Sequence, residues 1–197
     1  MVDFTVAIIA GGKSSRMGTD KAFVRLADKP MIRHVIDRTR DLGQAETIII
    51  TNSLDTYAQF NLLMFSDVHP DKGSLGGIYA ALYHANNPYV LVVACDMPFL
   101  NPQLLQFMKV QITDDVDIVV PRLAGYPQGL HAIYSKRCLD PIQKQLEAHR
   151  LKVIRFYDQM RVCYLDEVDY QAYDPDLRSF TNLNTPVELD QARLQFE

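Results

Sequence analysis

The chain of 197 residues has no surplus of positive charge, no long apolar run and no cysteine pairing pattern, and each absence removes a class of function. With 20 Lys and Arg against 24 Asp and Glu, the formal net charge is −4, and residues of both signs are mixed along the chain. The basic field that neutralises duplex phosphates is missing, so nucleic acid is not an expected partner. Apolar stretches such as Tyr89–Ala94 end after a few residues, well short of the ~20 that a bilayer-spanning helix needs. No membrane association is expected. The start, Met1-Val2-Asp3-Phe4, passes directly into an apolar segment without the basic and hydrophobic regions of a secretion signal, which predicts a cytoplasmic location. Cys95, Cys138 and Cys163 are odd in number and widely spaced, and His34, His69, His84, His131 and His149 form no H-E-x-x-H pattern. Reduced thiols are expected, and structural zinc is not. No repeat or Pro/Gly-rich linker interrupts the chain, so residues 1–197 are expected to form a single domain.

What is present is an alternation of short β-branched runs with longer stretches of helical period. Strands are predicted over 6–9, 47–51, 62–65, 89–94, 118–120, 130–134 and 162–165. Helices are predicted over 30–42, 75–84, 102–110 and 139–149, with a last helix opening at Pro186. The runs Val6–Ile9 and Tyr89–Ala94 are apolar at every position instead of alternating, the pattern of strands covered on both faces. The expected fold is therefore α/β: a three-layer α/β/α sandwich around a Rossmann-like, mostly parallel sheet.

The segment from Ala10 to Lys21, AGGKSSRMGTDK, follows the first strand, where an open α/β sheet presents its ligand crevice. Glycines without a Cβ let main-chain N–H groups approach an anion, and Lys13, Arg16 and Lys21 add positive charge, so polyphosphate is the expected ligand. Two commoner phosphate motifs do not fit. A Walker loop needs glycine where Ala7 stands, and Lys13 fills the third slot of G-x-G-x-x-G. A second candidate site is Asp96 in Cys95-Asp96-Met97-Pro98, directly after the strand at Tyr89–Ala94 and hence at the same sheet edge. Taken alone an aspartate there reads as a turn or helix cap, and beside a polyphosphate segment it is a candidate ligand for the divalent cation that accompanies such phosphates.

Residues 9–21 resemble the L-A-G-G-x-S-x-R-M-G-x-D-K signature of molybdenum cofactor guanylyltransferases, with Ile9 in place of the leading leucine. The wider nucleotidyltransferases share a looser version. The resemblance implies nucleotide binding by Ile9, Ala10, Gly11, Gly12, Lys21, Asn52, Asp67 and Asp96. It gives Lys21, Arg16 and Asp96 the catalytic roles and Asp96 the Mg2+. Asp71 competes with Asp67, because the loop before Leu75 is one residue shorter than in the family pattern. Asn182 and Asn184, in Asn182-Leu183-Asn184-Thr185-Pro186, resemble an N-x-N-T-P segment. Helix capping explains part of that segment, and contact with the acceptor or the metal explains the rest. Gln128-Gly129-Leu130-His131-Ala132 departs from the family's acceptor-side loop. Arg122 and Lys136 remain as candidate contacts for an anionic acceptor.

The function implied is transfer of GMP from GTP to the phosphate of molybdopterin, with other molybdenum cofactor biosynthesis proteins or apoenzymes as possible partners. The competing readings are cytidylyl or other nucleotidyl transfer to a pterin, sugar or alcohol phosphate, and a nucleotide-binding adaptor without catalysis.

Overall fold

A computed structural model describes residues 3–11 and 20–193. The sheet starts from β1 (Phe4–Ile9), whose six residues are all buried. To one side lie β4 (Glu46–Ile50) and β5 (Leu63–Phe65), and to the other β6 (Tyr89–Ala94), all parallel to β1. Beyond β6 come β9 (His131–Ser135), β7 (Ile118–Leu123) and β10 (Val162–Leu165), giving the order β10-β7-β9-β6-β1-β4-β5 among the described residues.

Successive side chains of β1 point to opposite faces, and the two faces build two cores. Phe4, Val6 and Ile8 pack with α1 (Met31–Thr39) and α4 (Pro102–Val110). Ala7 and Ile9 pack with α3 (Gly73–His84) and α5 (Leu139–Glu147). Each fully buried Val, Ile or Leu contributes about 1.5–3 kcal/mol relative to exposure, so the two layers account for the apolar runs of the central strands. At Gly77 a Cβ would lie 2.9 Å from Ile9 Cγ2, so the glycine lets α3 settle closely on β1.

Several predicted elements appear with the same limits, namely β6, α4, β10 and the start of α7 (Pro186–Arg193). The helix expected from Leu75 starts two residues earlier, at Gly73. Several further features have no counterpart among the predicted elements. A hairpin joins β2 (Arg25–Leu26) to β3 (Lys29–Pro30), the short helix α2 (Leu54–Tyr57) follows β4, and β9 runs antiparallel to both neighbours. β9 has little choice of direction. Only residues 124–130 separate it from β7, too few for the crossover that a parallel strand needs. The turn at Ala124-Gly125, with φ of 48° and 78°, reverses the chain between Leu123 and Tyr126 of β8 (Tyr126–Pro127).

Candidate active site

The site follows from the register of three strands. Ile9 pairs with both Ile50 and Ala94, so β1, β4 and β6 end flush. Main-chain bonds continue one residue further, from Ala10 N to Ile50 O at 2.8 Å and from Cys95 N to Ile9 O at 3.0 Å. Gly11, Asn52 and Asp96 therefore stand side by side, each two residues past a strand end. This is the crevice beyond the carboxyl ends of the strands.

The cleft has two arms that share Ala10, Gly11 and Asp20. The larger, of about 460 Å³, is lined by Asn52, Asp67, Asp71 and Gly73 among others. Here Asn52 Nδ2 donates to Asp67 Oδ2 and Asp67 N donates to Asn52 Oδ1, both at 3.0 Å, which locks the two side chains together. Asp71 lines the same arm, so both aspartates weighed in the sequence reading face one cavity.

The smaller arm, of about 200 Å³, holds Lys21, Asp96, Ser74 and Asn182. Lys21 opens a 3-10 turn, Lys21–Phe23, capped by the Asp20 side chain, and its ammonium lies 3.8 Å from Asp96 Oδ2. Lys21 Nζ also donates to Asn184 Oδ1 at 2.5 Å, and Asn182 Nδ2 donates to Asp96 Oδ1 at 3.2 Å. The main chain adds a bond from Leu183 N to Asp96 O at 3.0 Å. Burial raises the Asp96 pKa above the ordinary carboxylate value, and the nearby Lys21 charge acts in the opposite sense. Asn184 is fixed by the start of α7, where Glu188 Oε2 accepts from Asn184 N at 2.7 Å and from Thr185 N at 2.8 Å. Capping and cleft contact thus occur in the same segment.

Of the residues singled out from sequence, Ile9, Ala10, Gly11, Lys21, Asp96 and Asn182 line one arm and Asn52 and Asp67 the other. Asn184 is tied in through Lys21. Gly12, Lys13 and Arg16 lie outside the described residues. Two acceptor candidates find other roles. Arg122 forks onto both oxygens of Asp166, at 2.8 and 2.5 Å. Lys136 follows β9 and bonds the Pro88 carbonyl through its amide, at the sheet edge opposite Asp96, because β9 runs antiparallel to β6. Sequence reasoning also missed Tyr57, whose hydroxyl is 2.7 Å from Asp20 Oδ2. Its only signal is an aromatic a few residues past a strand end.

No group of three or more His, Cys, Asp and Glu able to hold a metal occurs among the described residues. Magnesium commonly takes one or two protein carboxylates and fills its shell with water and substrate phosphate. Asp96, a largely buried carboxylate at the mouth of β6 in an arm that Asp20 also lines, fits that pattern. No described helix is long and apolar enough to cross a membrane.

The profile described as MobA-like NTP transferase domain matches residues 6–161. This chain belongs to the MobA-like NTP transferase family. Within it, the chain is 39% identical over its whole length to the probable molybdenum cofactor guanylyltransferase of Pelotomaculum thermopropionicum, covering 95% of that protein. It is 37% identical to the molybdenum cofactor guanylyltransferase of Desulfosudis oleivorans, with 95% of this chain and 93% of that one aligned. The crystal structure of molybdopterin-guanine dinucleotide biosynthesis protein A from Archaeoglobus fulgidus superposes with a TM-score of 0.86, 27% identity and 98% coverage of both chains. The MobA-like fold is shared more widely. A CMP-2-keto-3-deoxy-manno-octonic acid synthetase matches with a TM-score of 0.74 at 15% identity, covering 98% of each chain. As a member of the MobA-like family, this protein is a nucleotidyltransferase.

Proposed function

We propose that this chain transfers the guanylyl group of GTP to the phosphate of molybdopterin, yielding molybdopterin guanine dinucleotide and pyrophosphate. The relatives' names supply the substrates. The observation that carries the chemistry is the pairing of Lys21 with Asp96, 3.8 Å apart, in one cleft at the flush ends of β1 and β6.

In this reading the base and ribose occupy the arm lined by Asn52, Asp67 and Asp71, and the triphosphate runs over Gly11 toward Lys21. An oxygen of the acceptor phosphate attacks the α-phosphorus, the bond to the β-phosphate breaks, and pyrophosphate leaves. The attacking oxygen is already anionic near neutral pH, so no general base is required. Catalysis rests on positioning and charge compensation. Lys21 offsets charge on the transferred group and on departing pyrophosphate, Asn184 and Asp96 orient its ammonium, and Asn182 fixes the carboxylate plane. Asp96 would hold Mg2+, which when bound screens the repulsion between the two phosphates.

Pyrophosphate release by the purified protein with molybdopterin, magnesium and each of GTP, CTP, ATP and UTP tests this reading. GTP is expected to support turnover at least about tenfold faster than the others. Equal or faster turnover with CTP replaces guanylyl by cytidylyl transfer, and nucleotide binding without pyrophosphate release makes the protein an adaptor.

A further inference from the structure

Tyr57, at the end of α2, stands beside Ala10, which follows β1, and Asp20, which caps the turn that carries Lys21. Its side chain is fully buried, and its hydroxyl lies 2.7 Å from Asp20 Oδ2 and 3.2 Å from the Ala10 carbonyl oxygen. Ala10 follows β1 and Asp20 precedes Lys21, so one hydroxyl touches both ends of the phosphate-binding segment. A phenol has one proton to give, and the shorter contact to a full negative charge takes it. The other Asp20 oxygen accepts from Ala22 N at 3.1 Å and caps the turn that carries Lys21. The Phe23 ring of that turn packs edge-on to the Tyr57 ring, with centroids 4.8 Å apart. Burial and the Asp20 carboxylate raise the phenol pKa far above its ordinary value, which keeps Tyr57 a donor.

We propose that Tyr57 is a positioning residue for nucleotidyl transfer: through Asp20 it clasps the turn that follows the glycine-rich segment and sets the direction in which Lys21 enters the cleft. The inference rests on the reading of Lys21 as the cation that meets the nucleotide's phosphates. Position matters here because a cation preorganised for charge developing in the transition state acts on kcat, whereas one that only attracts the ground-state nucleotide acts on KM. Tyr57→Phe removes the donor and keeps the ring against Phe23 and Phe60. Asp20→Asn weakens the same contact from the other side.

Two measurements test the clasp. The first is amide exchange of Ala22, Phe23 and Val24, whose N–H groups bond Asp20 Oδ1, Asp20 O and Lys21 O, in the protein without nucleotide. In Tyr57→Phe these amides are expected to exchange about tenfold faster, with Ile48, Ile49 and Val92 unchanged. The second is steady-state turnover with GTP and molybdopterin. Here kcat is expected to fall about tenfold in Tyr57→Phe and in Asp20→Asn, KM for GTP to move less than about threefold, and the double variant to be no worse than either single one. An unchanged kcat, losses that multiply in the double variant, or an exchange increase spread evenly over the sheet would overturn the proposal. Should the wild-type protein release no pyrophosphate at all, the guanylyltransferase reading fails, while exchange confined to residues 22–24 still supports the clasp.

Discussion

Asp117 precedes β7 at one edge of the sheet, Asp96 follows β6 at the other, and both face cations. Asp117 is the more enclosed, its side chain 7% exposed against 15% for Asp96. It is nevertheless the more acidic. Arg161 donates to both its oxygens at 3.0 Å, and Arg137 closes onto Oδ1 in a still shorter contact. These arginine bonds, led by those of Arg161, outweigh burial and hold the carboxyl far below the usual range. Among the described residues Asp96 meets one ammonium at 3.8 Å and one side-chain amide at 3.2 Å, and there burial prevails and its pKa rises. A saturated carboxylate maintains structure, and one that meets fewer donors among the described residues, at a cleft, has capacity for a ligand.

The largest expected effect lies on the undersaturated side. Asp96→Ala and Lys21→Ala should each lower kcat by at least about a hundredfold, with melting temperature little altered. Pyrophosphate release alongside thermal unfolding checks this, and near-normal turnover in either variant would erase the distinction between the two edges. Asp117→Ala should do the reverse. Its arginines are about half exposed and solvent screens much of their stranded charge, so the loss is about 2 kcal/mol, read by urea unfolding, with turnover retained.

The pH dependence sharpens the contrast. Because folding lowers the Asp117 pKa, its contribution is complete above the ordinary carboxylate value near ~4 and fades as pH drops below it. The stability gap between wild type and Asp117→Asn should begin to narrow as the medium is acidified below that point and close only toward the far lower pKa of the folded state. Asp96 has the opposite sign, since its charge is disfavoured by the fold. Asp96→Asn should leave stability at pH 7 unchanged or up to about 1 kcal/mol higher, and that gain should vanish in acid, where the wild-type carboxyl is already protonated.

Much of this was legible in the chain. Tyr89–Ala94 read as a buried strand because every position is apolar, and the helix predicted over 102–110 is the one that Asn101 caps and Pro102 opens in the structure. The flush strand ends then follow from glycine, Asn52 and Asp96 each trailing such a run. The rest was hidden for definable reasons. α2 is a single turn, too short for a helical period to show, so Tyr57 had no context. The direction of β9 depends on connection length, which hydrophobicity does not report. Arg122 and Lys136 carry the same charge, and only the partner Asp166 and the opposite sheet edge separate them from the cleft.

The bond from Leu183 N to Asp96 O has a further consequence. In chain order the last strand of the sheet ends at Leu165, and the Asn182–Asn184 stretch comes after it. A chain cut after Leu165 would keep every strand of the sheet and lose the amides that orient its cation and its acid, so scaffold and competence are encoded in separable stretches of the sequence.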